Sequence, residues 1–154
     1  MNDNIIQIDD TDKKILSYLG KNARMPFLEI ARECGISGAA IHQRVKKLED
    51  AGVIDGSRFL IKPKALGYNV CSFIGINLDH AHKYLSVVND IQKIPEIVEC
   101  HYTTGNFAML LKLYCKDNEH LLSIIIDKLQ KVQGIARTET LISLEQKVNR
   151  ELGI

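Results

Sequence analysis

Tryptophan is absent from this chain of 154 residues, aromatic side chains make up only 6%, and proline occurs three times. Cysteine is scarce too: Cys34, Cys71, Cys100 and Cys115 lie far apart, with no Cys-x-x-Cys pair and no His pair at zinc-finger spacing. A disulfide framework or structural zinc site therefore lacks its motif, and buried free thiols are the expectation. No apolar run reaches the ~18 residues that a spanning helix needs, so no membrane partner is expected. The start, with Asn2, Asp3 and Asn4, lacks the cationic and apolar regions of a signal peptide, which predicts a cytoplasmic protein. Nor is there an excess of one charge, since 20 basic residues against 19 acidic ones leave +1. Any footprint for a polyanion must be local.

Three helical patterns fill the first fifty residues. Asp9, Asp10 and Asp12 precede Ile15, Leu16 and Leu19, placing acids at the positive end of a helix with one apolar stripe, and Gly20 closes it. Pro26 suits the first turn of a second helix, in which Phe27, Ile30, Ala31 and Cys34 recur on one face until Gly35. Ser37 can cap a third, whose Ile41, Val45 and Leu48 share a side until Gly52.

The opposite side of the third helix carries Ser37, Gly38, Ala39, His42, Gln43, Arg44, Lys46 and Lys47. Small residues come first, where a backbone must approach closely, and donors and cations follow. A helix of this kind fits the major groove of double-stranded DNA, its early side chains reaching base edges and its Arg or Lys reaching phosphate or guanine. The Cys34-Gly35-Ile36-Ser37 junction sets the angle between helices two and three as in a helix-turn-helix. Between Ser37 and Lys64, six cations (Arg44, Lys46, Lys47, Arg58, Lys62, Lys64) face three acids (Glu49, Asp50, Asp55), a surplus that the neutral total conceals. Residues 53–61 read as two short strands about an Asp55-Gly56 turn, a small wing in which Arg58 either touches the DNA backbone or lies in a bridge between domains.

Pro63 and Gly67 mark a linker, so the predicted organisation is 1–62 for DNA binding, 63–69 for the linker and 70–154 for a second domain. There the pattern reads strand 71–78, helix 80–93, strand 97–103, strand 107–115, helix 118–131 and strand 135–144. That order predicts a ferredoxin-like βαββαβ sandwich, and with the helical domain an α+β chain. An internal echo at an offset of about 38 residues supports two related halves, pairing Asp79 with Asp117, His82 with His120, and Ile97 with Ile135. The third strand is apolar at nearly every position, so both its faces should be covered, and a second copy of the chain is the economical cover. A homodimer would also present two recognition helices to a palindromic site. Residues 121–129 are apolar on more than one side, which fits either deep burial or further subunit contacts.

Two other classes of function have weaker support. An enzyme on the ferredoxin-like domain lacks a motif: there is no phosphate-cradling glycine loop, His-Glu-x-x-His or nucleophile elbow, and Cys100 and His101 point to opposite faces of a strand. A metal-responsive regulator would use His80, His82 and His101 or the cysteines, although the first two sit at a strand-to-helix junction where solvated polar residues are usual. No catalytic residue, metal ligand or cofactor is assigned.

Over essentially its full length the chain resembles the Lrp/AsnC, or feast/famine, family of regulators. The likeness rests on Asp9-Asp10-Thr11-Asp12-Lys13-Lys14-Ile15-Leu16, on Asn22-Ala23-Arg24, and on Ile36-Ser37 with Ile41, Arg44-Val45, Leu48-Glu49 and Gly52-Val53-Ile54. In the second domain it rests on Gly105 and on Thr138-Glu139-Thr140. The resemblance implies a winged helix-turn-helix joined to a dimerising domain that often builds octamers and binds an amino acid or related metabolite between dimers. It places that effector site around Thr104, Gly105, Asn106 and Phe107, with Thr138 and Thr140 nearby. A glycine loop would offer backbone N–H groups to a carboxylate, and the threonines further hydrogen bonds. The family commonly carries an acid after the loop aromatic, where this chain has Ala108. An altered ligand, a replacement acid such as Glu139, or no ligand are the readings that follow.

Overall fold

The computed structural model describes residues 6–150 and Leu152, so Asn2, Asp3 and Asn4 lie outside the described residues. It divides into two compact units, Met1–Leu60 and Ile61–Lys147, with Val148, Asn149 and Arg150 grouped with the first.

The first unit is three helices, α1 (Asp10–Lys21), α2 (Phe27–Cys34) and α3 (Gly38–Asp50). Asp9 caps α1 with a reciprocal pair: its carboxylate accepts from the Asp12 N–H (2.8 Å), and the Asp12 carboxylate accepts from the Asp9 N–H (3.3 Å). Two donors that the first turn leaves without a partner are thereby satisfied. Gly35 closes α2 at φ 67°, in the left-handed region that favours glycine, and the Ser37 hydroxyl accepts from the Ala40 N–H (3.2 Å) to open α3 two residues later. Ile15, Ile30, Ala31, Ile41 and Val45 form the core, as the three periodicities imply.

The expected hairpin does not form at 53–61, where no strand occurs. The Val53 and Ile54 N–H groups turn back onto the Leu48 carbonyl (2.9 and 3.2 Å), and Ile54 packs on the helical core. Beyond them the chain is an exposed arm in which the Arg24 guanidinium lies 4.4 Å from the centroid of the Phe59 ring. A two-stranded hairpin is only marginally stable by itself, and here Val53 and Ile54, which would form its first strand, are already bonded to the end of α3.

The second unit opens with a 3₁₀ turn, Pro63–Leu66, and continues as β1 (Val70–Leu78), α4 (Tyr84–Ile91, entered through a 3₁₀ turn at Ala81–Lys83), β2 (Ile97–Tyr102), β3 (Met109–Cys115), α5 (Asn118–Ser123) and β4 (Ile135–Ser143). All pairings are antiparallel, in the order β2-β3-β1-β4, as a ferredoxin-like sandwich requires. Val87 and Ile91 of α4, and Leu121, Ile124 and Leu129 of the second helical segment, pack with Ile74, Ile76, Met109, Leu111 and Leu113 in one core. Both helices therefore cover the same face of the sheet, and β3 alternates buried with half-buried side chains.

The helix expected over 118–131 is interrupted. After α5 the turn widens into a π-helix at Ile124–Lys128 and then tightens to 3₁₀ at Leu129–Lys131, with the Leu129 N–H bonded to the Ile124 carbonyl. The extra residue rephases the helix so that Leu129 returns to the core beneath Ile124. Lys128 then reaches Glu96, bonding both carboxylate oxygens (2.8 and 2.9 Å).

Candidate nucleic-acid interface and effector pocket

On α3 the side opposite Ile41, Val45 and Leu48 is exposed at Ala39, His42, Gln43, Lys46 and Lys47, with Ser37 exposed at the cap and Gly38 half-buried. The His42 ring meets Phe27 of α2 edge-on, with centroids 4.9 Å apart. Arg58 is exposed on the arm that follows.

Arg44 departs from the expectation that it faces outward with the others. Its Nη1 donates to Asp9 Oδ2 and to Asp12 Oδ1, each at 2.7 Å, and the Asp12 side chain is only 1% exposed. The reason is the helix wheel: at ~100° per residue, Arg44 sits about 60° from Ile41, on the shoulder of the buried stripe. There it meets both acids of the α1 capping box and ties α3 to the first turn of α1. The Asp12 backbone N–H and then the Arg44 guanidinium hold the Asp9 carboxyl below its ordinary 3.8, while Asp9 and Asp12 raise the Arg44 pKa.

In the second unit a cavity of about 480 Å³ is lined by Asn77, Asn106, Phe107, Arg137 and Glu139. It lies on the sheet face away from the helices. The register sets Asn77 opposite Arg137 and Gly75 opposite Glu139, and directly opposed residues in an antiparallel pair share a face. Above β1 the loop between β2 and β3 is closed by the Thr103 N–H on the Ala108 carbonyl (2.9 Å) and by the Thr103 hydroxyl donating to the Phe107 carbonyl (2.6 Å). Asn77 Nδ2 donates to the Asn106 carbonyl (2.7 Å), fixing the loop to the sheet. Gly75 makes the seat for Phe107, since a Cβ there would stand 2.6 Å from the ring.

Of the expected effector residues, Asn106 and Phe107 line this cavity, while Thr104 and Gly105 shape the loop, Gly105 at φ 111°. Thr138 and Thr140 do not join them. They pair with Ile76 and Ile74, whose side chains are in the core, so the pleat turns both threonines toward the helices. Asn77, Gly75 and Arg137 were missed by sequence reasoning. An isolated glycine inside a strand was the one available signal, because it marks a close approach. Ala108 packs against the core, and Glu139 is the carboxylate of the cavity.

His80 and His82 stand side by side with ring centroids 5.4 Å apart, and among the described residues no group of three or more His, Cys, Asp or Glu could hold a metal ion. No helix among the described residues is long and apolar enough to cross a membrane.

Residues 8–55 match the winged helix-turn-helix DNA-binding family, and residues 71–152 match the Lrp/AsnC ligand binding domain. The regulatory protein AsnC of Haemophilus influenzae is 41% identical over 145 residues, 94% of this chain and 97% of that protein. The solved structure of Escherichia coli AsnC superposes with a TM-score of 0.93 at 38% identity, covering 97% of this chain and all of that one. A Neisseria meningitidis transcriptional regulator solved as an L-methionine complex shares the fold, with a TM-score of 0.89 at 24% identity over 94% of each chain. With both family matches in chain order and relatives aligned over nearly its whole length, this chain belongs to the Lrp/AsnC family of helix-turn-helix transcription regulators.

Proposed function

We propose that α3 enters the major groove of double-stranded DNA by its outward face, and that a small amino acid or related metabolite in the sheet cavity modulates the complex. The observation that carries the first part is the division of α3 itself, with Ile41, Val45 and Leu48 buried and His42, Gln43, Lys46 and Lys47 opposite them and exposed. Gly38 and Ala39 let the helix start approach the groove wall, His42 and Gln43 reach base edges, and Lys46, Lys47 and Arg58 neutralise phosphates. The Ser37 hydroxyl uses its oxygen in the cap, leaving its proton to donate to phosphate. Arg44 acts from behind, as the strut that holds the helix.

Two copies, joined through the half-buried sheet face that carries Phe73, Leu110 and Tyr114, would present two such helices to a palindromic operator in the cytoplasm. Higher assembly toward an octamer would use the exposed Leu122 and Ile126 of the second helical segment. Selection of genomic fragments by the purified full chain, followed by anisotropy titrations across salt, tests the DNA reading. Affinity should fall by a log–log slope of about 0.9 per phosphate contact, and Lys47→Ala should reduce that slope by about one while weakening all sequences alike. A chain that ignores duplexes at low salt refutes it. Sedimentation with and without amino acids tests assembly.

A further inference from the structure

We propose that Arg24, its guanidinium seated on the Phe59 ring, is a further anchor for the DNA backbone and binds a phosphate beside the groove that α3 enters. This rests on the DNA reading above and carries the contact surface beyond α3 to the turn before α2. The Asn22-Ala23-Arg24 turn is closed on itself: the Asn22 side chain accepts from the Arg24 N–H (3.0 Å), and the Asn22 carbonyl accepts from the Met25 N–H (2.9 Å). Three residues on, α2 touches the beginning of α3. The Phe27 ring meets His42 with centroids 4.9 Å apart, and Leu28 Cδ1 stands 3.8 Å from where a Cβ on Gly38 would be. Three residues of chain span at most ~11 Å, so Arg24 starts close to the edge of the helix that reads DNA.

The guanidinium lies 4.4 Å from the centroid of Phe59, a ring that is 71% exposed on an arm without strand structure. Stacking of this kind occupies one face of the cation and leaves its in-plane N–H donors uncommitted. Arg24 is itself exposed, and among the described residues its side chain enters no ion pair and no hydrogen bond. Arg44, by contrast, spends its Nη1 on Asp9 and Asp12. Parallel N–H donors match two oxygens of a phosphate, and a planar cation already resting on a ring has less freedom to lose when it binds. The arm thus serves a backbone contact without forming a wing, because it holds a cation that the turn before α2 supplies. A phosphate carries no sequence information, so Arg24 sets affinity and not the choice of operator.

Anisotropy titrations of the full chain across salt test this, on a genomic fragment selected by the parent chain and on an unrelated duplex. Arg24→Ala should lower the log–log salt slope by about 0.9, the value of one phosphate contact, and weaken both duplexes by the same factor. Arg24→Lys, which keeps the charge and loses the fork, should hold the slope. Phe59→Leu should weaken binding about two- to fivefold with the slope unchanged, the range of an exposed cation–π contact, and should cost nothing further in the Arg24→Ala background. Both side chains are exposed, and circular dichroism of each variant should match the parent chain. Replacing phosphates of the selected fragment one at a time by neutral methylphosphonates should find a position that weakens the parent chain and leaves Arg24→Ala unaffected. If Arg24→Ala keeps the parent slope while Lys47→Ala lowers it, Arg24 and Phe59 only tether the arm, and the anchor fails while the DNA reading stands. If the parent chain binds neither duplex, both fail.

Discussion

Replacing Arg44 by alanine distinguishes a strut from a base reader. The change removes the cation from Asp12, whose side chain is 1% exposed and whose other partner is the Asp9 N–H at 3.3 Å. Breaking a fully buried pair from one side costs ~3–5 kcal/mol. Arg44 itself is 32% exposed, so water can enter the vacated space, and about 2 kcal/mol is the appropriate figure. For a unit of this size that lowers the melting temperature by about 8–16 °C. Hydrogen exchange followed on peptides from α1 to α3 reads the helical unit separately from the sheet. Adding Asp12→Asn to the variant should restore about 1 kcal/mol, because a neutral amide tolerates the site without a cation. The opposite result, unchanged protection together with lost preference at one operator position, would mean that Arg44 leaves its acids and reads DNA. The acid limb gives a second check. Asp9 has its pKa lowered on folding, so its contribution is complete above about pH 4 and is lost as the pH falls through the folded value; Arg44→Ala should flatten that loss.

Gly75→Ala would drive a methyl into the Phe107 ring, destabilising the second unit by about 1–3 kcal/mol and loosening the loop at residues 103–108; urea titration and amide exchange of that loop measure both. Burial raises the Glu96 pKa, but Lys128 with His120 more than offsets this, so the net shift is downward. Its stabilising contribution is therefore held above about pH 5 and lost as the pH drops through the folded value, and Lys128→Met should cost about 1–2 kcal/mol at neutral pH and shrink that acid-dependent loss. Burial, with Glu96 and Asp117 nearby, pushes the Cys115 thiol up to about 11, so at pH 8 it should be the last of the four cysteines to react with a thiol reagent, well after the exposed Cys100.

Periodicity carried most of the fold. Ile15, Ile30, Ile41 and Val45 are where the helical spacing puts them, and the strand-helix order alone sufficed for a ferredoxin-like sheet. What escaped depends on partners distant in sequence. Arg44 reads as one more cation until the wheel places it beside the buried stripe and the fold brings Asp9 and Asp12 to it, 35 and 32 residues away. Thr138 and Thr140 look well suited to a ligand, yet a strand residue's face is a matter of parity, and parity is known only with the register. Asn77 and Arg137 become neighbours through that same register. The loop was legible because glycine at 105 and the aromatic after it are local signals, whereas the strand pairing expected at 53–61 is absent because Val53 and Ile54 bond back to the Leu48 carbonyl at the end of α3, a contact that the alternating pattern does not announce.

The widened turn at Ile124–Lys128 holds one residue more than a regular turn. Deleting a single residue between Ile124 and Leu129 would let the segment close as ordinary α-helix, with the leucine four places after Ile124 and about 40° from it, still on the core side. A one-residue deletion should therefore cost less here than in α4, where it would swing all that follows by about 100°, and deletion scanning would find in this stretch the one place in the helix with a residue to spare.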